Sequence, residues 1–177
     1  MEELMALNYR DYGLYCAVLV VSRSMDFLST WIATPNLLLE ANPIAKKLGW
    51  KWGILINLVL CFGFAVWPLP AIVIATTSAL VAARNFQSAW VMHTLGEHGY
   101  REWVIERLDH TPPGLYVFCL LAQGVLIGGV GGILMACSKW QLAPFAIGLG
   151  ILTYALAVVV YSLLGWWRAR RQLRTNF

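Results

Sequence analysis

The residues that could do chemistry in this chain sit where charge is least welcome. Arg23, Asp26 and Thr30 fall inside an apolar run, and Glu40, Asn42 and Pro43 follow just beyond it. Arg23 and Asp26 are three apart, Asp26 and Thr30 four apart, so a helix would set all three on one face. Ionisable groups at bilayer depth are costly, and where they persist they face a bundle interior or a wet cavity and have partners. Asp26 and Glu40 are the candidate catalytic residues, as acid or base in a proton transfer. No activated nucleophile accompanies them, because Ser22, Ser24 and Ser29 have no histidine nearby on the same element.

A second cluster is the HTLGEH segment, where His93 and Glu97 are four apart and His98 adjoins Glu97. A metal site with a carboxylate ligand is conceivable there. The spacing matches neither H-E-x-x-H nor H-x-x-E-H, and Gly96 and Gly99 interrupt the helix that would present it, so a solvated polar cap is the favoured alternative. No cofactor is indicated by any motif in the chain.

The elements that must position these residues are membrane helices. Of the 177 residues, 59% are hydrophobic and 12% charged, against about 25% charged in a globular average, and the mean hydropathy is +0.65. The expected fold is all-α: a polytopic membrane protein forming one domain over residues 1–177, a bundle of five transmembrane helices plus a short interfacial helix. Apolar runs place the spans at about 12–33, 48–67, 70–92, 112–136 and 141–167. Thr34, Pro35 and Asn36 break the first span. Asn42 is a good N-cap with Pro43 at the first helical position, so a helix is expected to start there and either continue into the second span or bend near Gly49. Tyr100, Trp103, Val104 and Leu108 recur at helical spacing among charged residues, which predicts the interfacial helix over about 100–109.

Counting about 1.5 Å per residue from each span's centre puts Arg23, Asp26, Asn57, Arg84, Asn85 and Gln123 at one level. The sequence therefore predicts a shared polar cluster of Arg23, Asp26, Thr30, Glu40, Asn42, Asn57, Arg84, Asn85 and Gln123, with Asp26 paired to Arg23 or Arg84 and Glu40, if its segment folds back toward the bundle, taking the other arginine. In the fourth span Gly124, Gly128 and Gly132 recur at every fourth residue, a ridge on which a neighbouring helix or another copy of the chain could dock.

Five spans place the termini on opposite sides. Lys46, Lys47, Lys51, Arg84, Arg101, Arg107, Arg168, Arg170, Arg171 and Arg174 all fall on one of them, so the positive-inside rule puts the C-terminus in the cytoplasm and the N-terminus outside. The acidic MEELMALNYRD start lacks the features of a cleaved signal peptide. The expected location is a prokaryotic cytoplasmic (inner) membrane. Cys16, Cys61, Cys119 and Cys137 lie in apolar runs without metal or disulfide spacing. The basic residues flank spans, so the net charge of +4 does not imply nucleic acid. The partners expected are the lipid bilayer and other membrane subunits or a second copy.

Asp26, Thr30, Glu40, Asn42 and Pro43 together form an Asp-x3-Thr and Glu-x-Asn-Pro pattern. It resembles the signature of an uncharacterised family of small polytopic membrane proteins of bacteria and archaea, known only as a domain of unknown function. The resemblance covers the first third to half of the chain and implies no activity.

Three function classes follow, in this order. The first is an accessory or interaction subunit of a membrane complex, built around the buried polar cluster and docking through the glycine ridge. The second is a membrane-embedded hydrolase at the cytoplasmic leaflet, with or without metal. The third is a small proton-coupled transporter using Arg23, Asp26, Asn57 and Arg84.

Overall fold

A computed structural model of the protein describes residues 9–40 and 43–175. It consists of five helices, α1 (Tyr9–Ala33), α2 (Pro43–Phe64), α3 (Pro68–His110), α4 (Pro113–Cys137) and α5 (Leu142–Thr175). All five are long and apolar enough to cross a membrane, and no strand occurs among the described residues. Turns separate them where prolines remove amide donors or where the backbone turns left-handed: Pro68 and Pro113 open α3 and α4, and Lys139 and Trp140 take positive φ between α4 and α5.

Two glycines bend helices without ending them. In α2, Gly49 has φ 67° and ψ −178°, so a short segment from Pro43 meets the main helix at an angle. In α3, Gly96 has φ 70° and ψ 164°. Residues 100–109 therefore belong to α3, and the separate interfacial helix expected from the amphipathic pattern is not seen as its own element. Glycine takes a positive φ without a Cβ clash, so one residue suffices to turn the axis and helical hydrogen bonding resumes at once.

Small residues decide which helices touch. On α3, Ala71, Ala75, Ser78, Ala82 and Ala89 are buried. They face a matching seam of α1 in which Leu19, Ser22, Ser29 and Ala33 are buried. Both rows follow the alternating three- and four-residue spacing of a left-handed helix pair. On its other side α3 meets α5 at Gly150, where an added Cβ would lie 2.8 Å from Thr76 Cβ and 3.0 Å from Val73 O. Thr77 Oγ1 donates to Gly150 O at 3.1 Å across this contact. Helix α4 packs on the outer side of α5, with Leu120 of α4 buried in one cluster with Tyr154 and Val158 of α5. Helix α2 packs most sparsely: Cys61 is buried with Leu19 of α1 and Ala71 and Ala75 of α3, and side-chain bridges to α1 add to it.

Candidate functional site

Arg23 is the hub. It sits on α1 nearly three turns before the helix ends at Ala33, and its guanidinium meets three elements. Nη1 forms a salt bridge with Asp26 Oδ2 at 2.6 Å and donates to Ser78 Oγ of α3 at 3.1 Å. Nε donates to Asn57 Oδ1 of α2 at 2.9 Å, and Nη2 donates to the same oxygen. Asn57 Nδ2 returns to its own helix at Gly53 O, 2.8 Å. Two of its donors converge on one neutral amide oxygen, and Asp26 is the carboxylate paired with the guanidinium. The phenyl ring of Phe27 covers the guanidinium, with its centroid 5.6 Å from Cζ.

One turn further along α1, Asn85 Nδ2 of α3 donates to Thr30 Oγ1 at 3.2 Å. The step from Arg23 to Thr30 on α1 equals the step from Ser78 to Asn85 on α3. The two helices thus run parallel in matched register, as an intervening antiparallel α2 requires. Arg84, beside Asn85, turns toward α5 and donates from Nη2 to Ser162 Oγ at 3.5 Å. Its Nη1 is buried and meets no acceptor among the described residues.

These side chains border a chamber of about 650 Å³ between α1, α2, α3 and α5. Its walls include Arg23, Asp26, Thr30, Arg84 and Asn85 on the polar side, and Ile56, Leu60, Tyr154 and Val158 on the apolar side. The 34–40 linker contributes Thr34, Leu37, Leu39 and Glu40 to one end. Helices α2 and α5 line opposite sides yet make no extended packing contact with each other. A smaller recess of about 210 Å³ between α1 and α2 shares Arg23, Phe27 and Asn57 with it.

The linker is folded rather than loose. Glu97 Oε1 accepts from Thr34 Oγ1 at 2.9 Å and from the Asn36 amide at 2.8 Å. Thr34 Oγ1 in turn accepts from the Leu39 amide at 3.2 Å, Leu37 takes a left-handed φ of 57° with its side chain buried, and Trp50 Nε1 donates to Pro35 O at 2.8 Å. Glu97 is only 9% exposed, and its Oε2 finds no partner among the described residues.

Of the residues singled out from sequence, Arg23, Asp26, Thr30, Glu40, Asn57, Arg84 and Asn85 all line this one chamber. Asn42 lies outside the described residues. Gln123 is exposed on α4 and does not reach the chamber, because α4 turns its glycine face to α5 and Gln123 sits about 100° round the helix from Gly124. The ridge itself is Gly124, Gly128 and Gly131 rather than Gly132. An added Cβ at Gly124 would lie 2.6 Å from Val159 Cγ2, at Gly128 3.6 Å from Ala155 Cβ, and at Gly131 2.7 Å from Gly148 O, while Gly132 faces open space.

His93 and His98 are exposed whereas Glu97 is buried, and no metal-ligating cluster of His, Cys, Asp or Glu occurs among the described residues. The reason is Gly96: side chains four apart share a face only on an unbroken helix, and the break lies between His93 and Glu97. The sequence placed Glu97 in a solvated polar cap, whereas the structure buries it beyond the break at Gly96, a break the sequence marked without its direction. No family model, curated protein or solved structure matches the chain.

Proposed function

We propose that the protein binds an amphiphile drawn from the surrounding bilayer, in the chamber between α1, α2, α3 and α5. One observation carries this: a chamber of about 650 Å³ in which charged residues of α1, α3 and the 34–40 linker, with the amide of Asn57, share the lining with apolar side chains of α2 and α5. Its size falls within the range of about 300–1,000 Å³ typical of small-molecule sites, and an apolar lining with a few placed polar groups is their usual composition. The gap between α2 and α5 supports sideways entry from lipid.

Orientation follows from the basic residues, with the N-terminus outside and the chamber's linker end toward the cytoplasm. The helical segment after Gly96 then lies along the cytoplasmic membrane surface, with Trp103 stacked under Arg107, Cζ to ring centroid 5.8 Å. The same rule places Arg170 and Arg171, packed over Trp166 and Trp167, at the cytoplasmic headgroups.

Docking to another subunit draws less support, since the glycine ridge that favoured it is engaged by α5 of the same chain. Hydrolysis of the bound amphiphile is a second reading, favoured by two carboxylates, Asp26 and Glu40, on the wall of one chamber. It predicts that Asp26→Asn and Glu40→Gln abolish turnover and retain binding.

The binding reading is tested by native mass spectrometry of the detergent-purified protein. Wild type is expected to carry one amphiphile-sized adduct that Ala157→Trp, which fills the chamber wall of α5, removes. Equal adducts on both proteins would refute it.

A further inference from the structure

Arg84 differs from Arg23 in what satisfies it. Arg23 has a carboxylate, an amide oxygen and a hydroxyl within hydrogen-bond range. Arg84 has a single long bond, Nη2 to Ser162 Oγ at 3.5 Å, a buried Nη1 without an acceptor, and no ion pair among the described residues. A guanidinium has five donors and cannot shed its charge, and a buried donor left unmade carries its whole desolvation cost. Arg84 nevertheless lines the chamber, beside Asn85 and across from Tyr161 and Ser162.

Resting on the chamber as an amphiphile site, we infer that Arg84 receives an anionic headgroup, with the chemistry of a phosphate monoester. Such an oxyanion accepts two parallel bonds from the planar guanidinium fork and a third from a neighbouring hydroxyl. The Ser162 hydroxyl, already within reach of Arg84, supplies the latter. Two carboxylates share the chamber with Arg84: Asp26 is paired with Arg23 at 2.6 Å, and Glu40 stands in the linker, so the headgroup is held by the Arg84 fork against whatever repulsion Glu40 exerts.

The axial order of the walls fits an amphiphile of the cytoplasmic leaflet. Arg84 is level with Thr30, whose neighbour Asn85 bonds it, and Thr30 is within one turn of the end of α1 at Ala33. Val158 and Tyr154 lie about 6 and 12 Å back along α5 from Ser162, toward the bilayer interior. Ile56 and Leu60 face the same space from α2. A headgroup at Arg84 therefore leaves its chain running inward between α2 and α5, the direction a lipid tail already takes.

The test titrates the intact protein in neutral detergent with three probes, read by native mass spectrometry: dodecyl phosphate, uncharged monododecanoylglycerol, and inorganic phosphate. Dodecyl phosphate is expected to bind about tenfold more tightly than monododecanoylglycerol, the effect of one charge-assisted contact. Arg84→Gln should erase that preference without weakening the uncharged probe, and Arg84→Lys should keep part of it. Ser162→Asp leaves Arg84 in place and gives it an internal carboxylate, so it should erase the preference while retaining the fold even where Arg84→Gln unfolds. Equal affinity for the two amphiphiles in wild type, or a preference that survives Ser162→Asp, would overturn the assignment of Arg84 and leave the chamber reading standing. Failure of both amphiphiles to bind would overturn the chamber reading itself. Inorganic phosphate binding as tightly as dodecyl phosphate would uphold the anion site and overturn a lipid as its source.

Discussion

Helices α4 and α5 meet backbone to backbone, whereas α1 and α2 meet through polar side chains with space left beside them. At the first interface Gly131 and Gly148 face each other so closely that a Cβ on either would stand 2.6–2.7 Å from the other's carbonyl oxygen. At the second, Arg23 reaches Asn57 across a recess, Tyr12 Oη donates to Phe62 O at 3.2 Å, and Phe27 meets Trp50 at a tilt with centroids 6.2 Å apart. In lipid there is no hydrophobic drive between helices, so association rests on close packing or on interhelical hydrogen bonds. The chain uses the first device where nothing is to pass between helices and the second where a volume is kept open.

Substitutions can break this contrast from either side. The largest effect is expected at the glycine interface: Gly131→Leu or Gly148→Leu forces side-chain atoms into backbone and should destabilise the fold by about 3 kcal/mol or more. Gly132→Leu, facing open space, should stay within about 0.5 kcal/mol of wild type. Thermal unfolding in detergent distinguishes the two, and equal losses would show that the ridge is not the seam described.

On the open side, Arg23→Leu removes the bonds that tie α2 to α1 and α3 and strands Asp26. A loss of about 2 kcal/mol is expected, within the range for losing a charged hydrogen-bond partner. Most of it should disappear in the background of Asn57→Leu with Asp26→Leu. Additive losses in that cycle would mean that the three side chains are not coupled.

The smallest effect belongs to the linker. Glu97→Ala should cost about 1–2 kcal/mol by leaving Thr34 and the Asn36 amide without their acceptor, with faster hydrogen exchange confined to residues 34–40. Glu97→Gln keeps an acceptor oxygen and should exchange nearly as slowly as wild type. Unchanged exchange in Glu97→Ala would mean that the linker is held by its other bonds, from Trp50 to Pro35 O and from Lys46 to Leu38 O.

These contrasts also mark what the sequence could and could not disclose. The five apolar runs are long enough that their helical, membrane-spanning character follows from length and composition. At Gly49 the sequence left a bend and a continuous helix both open, and the positive φ of that glycine decides for the bend. The depth count brought Arg23, Asn57, Arg84 and Asn85 together because axial rise is nearly constant.

Rotation about each helix was less legible. Going from Gly124 to Gly131 turns the helix to within about 20° of its start, whereas Gly132 lies about 80° away. A ridge defined by every fourth residue therefore drifts off the seam that a spacing of four and then three follows. Gln123 was misjudged for the same reason, since depth says nothing of facing. Glu97 escaped because a single positive φ at Gly96 re-aims everything after it. The alanine and serine seam joining α1 and α3 drew no notice, because small residues inside an apolar run leave no mark in hydropathy.

The central claim is that the space beside α2 holds a ligand while the outer face of α4 merely touches lipid. Photolabelling of the protein in phosphatidylcholine nanodiscs with a diazirine-bearing dodecyl phosphate measures this directly. Label on the α2 and α5 peptides carrying Ile56, Leu60 and Val158 should fall to background under excess unlabelled dodecyl phosphate. Label on α4 at Val125, Leu126 and Ile133, all strongly exposed, should not change. Labelling of both regions that declines in parallel, or in neither, would contradict a ligand-binding chamber.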